Sequence, residues 1–176
     1  MNFPMRVIFS HGHLSSPQSR KIRVLAPVAE EFGLETHAVD YTDLRDDPHG
    51  RVERLKRIVE EEAEPPILVG SSLGGLVSVA AAEAHPVAGL FLMAPALYME
   101  DRIPGGVVRD RYTPRCPYIT VVHGWRDDVC AWQGSVEFAR DQRAALYLID
   151  ADHRLEDALP SIAEWLRSFL VGRMAH

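Results

Sequence analysis

The chain has 176 residues, of which 47% are apolar and 25% charged, the size and balance of one ordinary globular domain covering residues 1–176 and of neither a disordered nor a low-complexity chain. A net charge of −6, from 25 acidic and 19 basic residues, offers no Lys/Arg field for a phosphate backbone and argues against nucleic acid as a partner. No apolar run reaches the ~18 residues a bilayer span needs, and the N-terminus lacks a signal-type pattern, so no membrane association and a soluble cytoplasmic protein are expected.

Residues 6–10, a β-branched and aromatic run stopping at His11-Gly12, read as a buried strand. Ser16 is expected to cap the next helix with Pro17 at its first position, and Gly33 to end it in a left-handed turn. Residues 35–39 form a second strand. A polar stretch, 40–50, leads to a helix over 51–63 with Val52, Leu55, Ile58 and Val59 on one face. Residues 67–69 are a third strand, apolar throughout as a strand buried on both faces should be. A helix over 76–83, a strand over 89–93, a loop over 95–114, a strand over 118–123, a helix around 136–140, a strand over 145–149 and a closing helix over 159–171 follow. Strands separated by helices of crossover length predict an α/β fold, a mostly parallel six-stranded sheet in a three-layer α/β/α sandwich.

In such sheets ligands bind at the carboxyl ends of the strands, and the polar punctuation falls there. Gly70-Ser71-Ser72-Leu73-Gly74-Gly75 contains G-x-S-x-G between a predicted strand and a predicted helix, the context that gives the motif its meaning. Gly70 and Gly74 would remove side chains that collide across a sharp turn, leaving Ser72 projecting as a nucleophile. A phosphate-binding glycine loop is the competing reading, but no Lys follows the glycines and no G-x-G-x-x-G register exists. Ser71 is out of register and reads as a turn residue.

A serine hydroxyl needs a base. His153, after the last strand, fits the chain order Ser, Asp, His. His37, His49, His85 and His176 read as solvated or structural; His11 comes too early; His123 reads as a buried imidazole shaping its turn. Asp127 and Asp128 both follow the fifth strand. Asp127 is preferred as the carboxylate that orients His153, with Asp128 as the alternative. Oxyanion donors are expected from the backbone amides of Leu73 and His13. Cys116 and Cys130 have no zinc-site spacing and read as reduced thiols.

His11-Gly12-His13-Leu14-Ser15-Ser16-Pro17, the Gly70–Gly75 segment and the stretch from Cys116-Pro117-Tyr118 to Val129 resemble the α/β-hydrolase superfamily, in particular the small cap-less bacterial esterases of the YqiA-like group and the related RBBP-type serine hydrolases. The resemblance implies a minimal α/β-hydrolase domain without a cap, strand order 2-1-3-4-5-6, a triad of Ser72, Asp127 and His153, and neither metal nor organic cofactor. It implies a serine hydrolase, carboxylesterase or thioesterase-like, acting on a small-molecule acyl substrate; oligomeric state is not legible. The alternative is a non-catalytic ligand-binding or interaction protein on the same fold. Asp152 stands where relatives commonly have glycine, and is expected to raise the pKa of His153. Leu97, Tyr98, Met99, Ile103, Val107 and Val108 are candidates for an acyl pocket or for core packing, and Trp125 and Trp132 for a pocket wall or core anchors.

Overall fold

The computed structural model describes residues 5–174. Strands β1 (Arg6–Ser10), β2 (Glu35–Val39), β3 (Ile67–Ser71), β4 (Gly89–Met93), β5 (Ile119–Gly124) and β6 (Ala145–Ile149) form one sheet in the order β2-β1-β3-β4-β5-β6. Every adjacent pair is parallel, and the strand order is the expected one. The helices are α1 (Arg20–Glu30), α2 (Pro48–Glu61), α3 (Leu73–Ala84), α4 (Trp132–Gln142) and α5 (Leu159–Met174).

Strand alternation divides the core in two. Leu68, Leu90 and Leu92 point to one face and pack with α2, α3 and Phe138 of α4. Ile67, Val69, Phe91 and Met93 point to the other and pack with α1 and α5. All of these strand residues are essentially inaccessible to solvent, as expected for parallel strands covered on both sides. Residues 94–118, where a cap could be inserted, contain no helix or strand.

Helix starts differ from the sequence reading. Ser19, not Ser16, caps α1: its Oγ accepts the Ile22 amide, while Ser16 Oγ accepts the Gln18 amide in a local turn and Pro17 lies outside the helix. Helix α2 begins at Pro48 rather than 51, because Asp47 Oδ1 accepts the Gly50 amide at 2.8 Å and Pro48 takes the first helical position. Helix α3 begins at Leu73, with no residue between it and the turn at Ser72. Gly33 ends α1 as expected, at φ +73°.

Candidate active site

Ser72 alone reverses the chain between β3 and α3, at φ +53° and ψ −119°. A non-glycine residue in this region carries strain of about 1–3 kcal/mol and persists only when its surroundings impose it. Here the surroundings do: the Ser72 amide donates to the Met93 carbonyl at 3.0 Å, and its own carbonyl accepts the amides of Gly75, Leu76 and Ala96 at 2.9, 3.3 and 3.0 Å. A Cβ at Gly70 would lie 2.5 Å from the Gly74 carbonyl oxygen, and a Cβ at Gly74 would overlap the carbonyls of Ser10 and His11. Gly70 therefore lets α3 close against the end of β3, and Gly74 lets the elbow press against the end of β1, which carries the His11–His13 loop.

The loops after β5 and β6 are laced together. Trp125 donates its amide to the Ile149 carbonyl at 2.8 Å and Arg126 donates to Ala151 at 3.0 Å; a Cβ on Gly124 would overlap the Ala151 carbonyl. This close approach brings Asp127 and His153 together. His153 Nδ1 donates to Asp127 Oδ2 at 2.7 Å, and Ser72 Oγ lies 3.1 Å from His153 Nε2. The three side chains named from the sequence thus form one hydrogen-bonded run. Asp128 is exposed and makes no side-chain hydrogen bond among the described residues.

Asp127 is held from both sides. Oδ1 accepts the amides of Val129 and Cys130, each at 2.8 Å. Oδ2 accepts His123 Nε2 at 2.9 Å as well as His153. His123 is fully buried. Its Nε2 faces two acceptors, the Asp127 carboxylate and the Cys130 carbonyl, and so carries the proton; its Nδ1 accepts the Ser135 hydroxyl at 2.7 Å. Burial opposes charge on Asp127, but the two histidines and the two amides outweigh it and hold its carboxyl well below the usual range. Burial likewise opposes charge on His153. Asp127 and the Cys130 sulfur override it and raise the imidazole to about 9. Asp152 is not the source of that rise, contrary to expectation: its Oδ1 accepts the amides of Arg154 and Leu155 in a local turn. Sequence reasoning passed over Cys130, whose sulfur lies 4.0 Å from Ser72 Oγ.

The loop after β1 is fixed from beneath. His11 is buried with both ring nitrogens engaged, Nδ1 on the Gly12 carbonyl at 2.8 Å and Nε2 accepting the Tyr41 amide at 3.0 Å. Arg51 is wholly buried. Its guanidinium donates to the carbonyls of His11, Gly12, His13, Leu44 and Arg45 at 2.9–3.4 Å, and it pairs with no carboxylate among the described residues. This residue was missed because an Arg in a polar stretch of helix reads as solvated. The amides of Leu73 and His13 donate to no described acceptor, which leaves them free for an oxyanion. The His13 ring pairs with Asp46 at 2.7 Å.

Two clefts flank Ser72. One of about 630 Å³ includes His13, Ser15, Lys21, His153 and Arg154; the other, about 320 Å³, includes Leu73, Ala96, Met99, Ile103 and Cys130. Of the acyl-pocket candidates, only Met99 and Ile103 line this second groove. Leu97 and Val107 are core, with Tyr98 and Val108 packed against it. Trp125 and Trp132 form neither a cleft wall nor a core anchor: they meet edge to face, centroids 4.8 Å apart, with Trp125 48% exposed. His37, His49 and His85 line neither cleft, and His176 lies outside the described residues. Among the described residues no group of three or more His, Cys, Asp or Glu side chains could hold a metal ion, and no helix is long and apolar enough to cross a membrane.

Comparison with known proteins agrees with this architecture. Residues 6–123 match UPF0227, an uncharacterised protein family. A protein of the alpha/beta hydrolase superfamily from Xanthomonas campestris pv. campestris is 30% identical, with 96% of this chain and 99% of that one covered and a TM-score of 0.82. Est1E from Butyrivibrio proteoclasticus shares the fold at 18% identity, with 98% and 89% covered and a TM-score of 0.81. So does the ydeN gene product from B. subtilis, at 16% identity, 98% and 100% coverage and a TM-score of 0.80. No curated protein matches the sequence. With the family match spanning more than half of the chain and the Xanthomonas protein similar along nearly all of it, the chain belongs to UPF0227, the YqiA-like family, within the alpha/beta hydrolase superfamily.

Proposed function

We propose that the chain is a serine hydrolase, of carboxylesterase or thioesterase type, that cleaves a small-molecule acyl ester through an acyl-enzyme on Ser72. The observation that carries this reading is the run from Asp127 Oδ2 through His153 to Ser72 Oγ, at 2.7 and 3.1 Å, on a serine held at φ +53°. The reading invokes no metal and no organic cofactor.

In this reaction Ser72 Oγ attacks the acyl carbon as its proton passes to His153 Nε2. Asp127 fixes the Nδ1–H tautomer and stabilises the imidazolium. The carbonyl oxygen becomes an alkoxide facing the amides of Leu73 and His13; one such donor is worth about 10²–10³ in rate. Collapse of this adduct breaks the bond to the leaving group, which takes the proton from Nε2. A water, deprotonated by the same nitrogen, then attacks the acyl-enzyme and restores the Ser72 hydroxyl.

The test is a series of aryl and thiol esters of graded acyl length, assayed with wild type and Ser72→Ala. The variant is expected to remain folded, to lose about a thousandfold or more in turnover, and to lose labelling by a fluorophosphonate. Equal turnover in the two proteins would overturn the assignment. A wild type that neither labels nor turns over would favour a binding protein on this fold.

A further inference from the structure

Ser72 stands where the two clefts meet, and the chemistry assigns them different roles. His153 Nε2 returns its proton to the leaving-group oxygen or sulfur, so the leaving group must lie on the His153 side. The 630 Å³ cleft includes His153 and Arg154 in its lining; the 320 Å³ groove includes neither and is walled by Leu73, Ala96, Met99 and Ile103, with the exposed side chains of Arg45, Asp46 and Arg102 also in its lining. An apolar acyl chain fits the second, and the first is left for the alcohol or thiol portion.

The larger cleft is cationic in a protein of net charge −6. Arg20, Lys21 and Arg154 line it against one acidic residue, Glu156. Glu156 pairs with Arg20 at 3.4 Å, both side chains being well exposed, a contact of small energy. Lys21 and Arg154 have no side-chain hydrogen bond or ion pair among the described residues. Lys21 is half-buried. Burial pushes its amine down; the carboxylates of Glu156 and Asp152 pull it up, and the Arg154 charge pushes the same way as burial. A half-buried Lys21 with no hydrogen-bonded partner, lining the same cleft as the exposed Arg154, is unfavourable unless an anion joins it. Nearby, Ser19 Oγ accepts the Ile22 amide, which leaves its hydroxyl proton free to donate.

We propose that the leaving-group cleft binds an anion: the preferred substrates are esters or thioesters whose alcohol or thiol portion carries a carboxylate or phosphate, held by Lys21 and Arg154, with an apolar acyl chain in the Met99–Ile103 groove. This rests on the serine-hydrolase reading above.

The test compares butyrate esters of phenols bearing a carboxylate, a phosphate or a neutral carboxamide at the same ring position. For wild type at low salt, kcat/KM for the anionic esters should exceed that for the carboxamide by about tenfold, the size of one charge-assisted contact. In the Lys21→Ala/Arg154→Ala double variant the ratio should fall to about one, and it should shrink in wild type as salt is raised. Arg23→Ala, which removes an exposed charge on α1 outside the cleft, should keep the ratio. The larger of the carboxylate and phosphate ratios identifies the anion. Equal rates for charged and neutral esters, or a ratio that survives the double variant, would overturn the proposal. Should wild type cleave none of these esters, the hydrolase reading fails separately. Calorimetric titration with phenyl phosphate, benzoate and phenol then decides the anion site: anion binding lost in the double variant supports it, and no preference over phenol overturns it.

Discussion

His123 donates to the same oxygen of Asp127, Oδ2, that receives the hydrogen bond of His153, at 2.9 Å against 2.7 Å. One carboxylate oxygen thus ties a buried imidazole to a partly exposed one. The buried ring acts as a strut, because the Ser135 hydroxyl on its far side fixes its tautomer. Replacing His123 with Phe would strand the Ser135 hydroxyl and the Cys130 carbonyl in the core, and take one of four donors from Asp127. The expected cost is about 2–4 kcal/mol of stability in urea denaturation. With fewer donors Asp127 becomes more basic and binds the His153 imidazolium more tightly. The alkaline shift of the pH–rate limb should therefore grow in any His123→Phe protein that remains folded. His123→Gln, which keeps an N–H donor, should lose less on both counts.

In the proposed reaction acylation requires a neutral His153, whose imidazole is raised to about 9. Activity on a neutral aryl ester should rise through the neutral range and level off only above that value. Stability should run the other way. A histidine whose folded pKa exceeds its unfolded value of about 6.5 contributes fully below 6.5 and loses that contribution as pH rises through 9. Thermal denaturation at pH 6 and pH 9.5 should show this loss in wild type and a smaller one in Asp127→Asn. Asp152→Asn should leave the rate limb where it is, since the Asp152 carboxylate is engaged with the Arg154 and Leu155 amides. A limb that moved down in Asp152→Asn would restore Asp152 as the cause.

Arg51 holds the backbone that carries the His13 amide. Its guanidinium meets carbonyls from two loops, 11–13 and 44–45, and its cation lies over the Tyr41 ring at 5.2 Å. Arg51→Met conserves much of the apolar stem but leaves these carbonyls without their donor in a buried site. The expected result is a loss of about 3 kcal/mol or more, together with, in the proposed reaction, a fall in kcat that exceeds the change in KM as the His11–His13 loop loses its geometry. Arg51→Lys, a point charge without the planar fork, should recover only part of each. A Met variant with wild-type kcat would show that the His13 loop holds itself.

Legibility from sequence followed the range of the interactions. Ser72 was readable because strand, glycines and helix are contiguous, although the contacts that hold its strained backbone come from Met93 and Ala96 as well. Strand spans were close for the same reason: β1, β2, β4 and β6 match the sequence reading, and β3 and β5 differ only at their ends. The start of α1 was misplaced because Ser16 and Ser19 are equal caps in local terms, and the path of the loop over the site decides between them. Arg51 and His123 were opaque as partners for a different reason. Arg51 is satisfied by backbone carbonyls of residues 11–13 and 44–45 and His123 partly by the Cys130 carbonyl, and backbone acceptors leave no residue-type signature. The apolar residues at 97–108 could not be divided into core and groove, since they lie in irregular chain with no period to assign faces.

Gly74 and Gly172 give opposite predictions from one substitution. At Gly74, in the first turn of α3, a Cβ would overlap the carbonyls of Ser10 and His11, backbone atoms at and just after the end of β1 that cannot rotate away. Gly74→Ala must push the helix off the sheet, at a cost of about 1–3 kcal/mol or more. The same movement shifts Ser72, whose carbonyl is bonded to the Gly75 amide at 2.9 Å, so activity should collapse even where the protein still folds. At Gly172, inside α5, a Cβ would meet nothing within 4 Å. There alanine lowers the entropy of the unfolded chain and raises helix propensity, so Gly172→Ala should gain about 0.5–1 kcal/mol with no change in turnover. Denaturation midpoints of the two variants on either side of wild type would bear this out, whereas a stable and fully active Gly74→Ala protein would mean that the elbow does not press against β1.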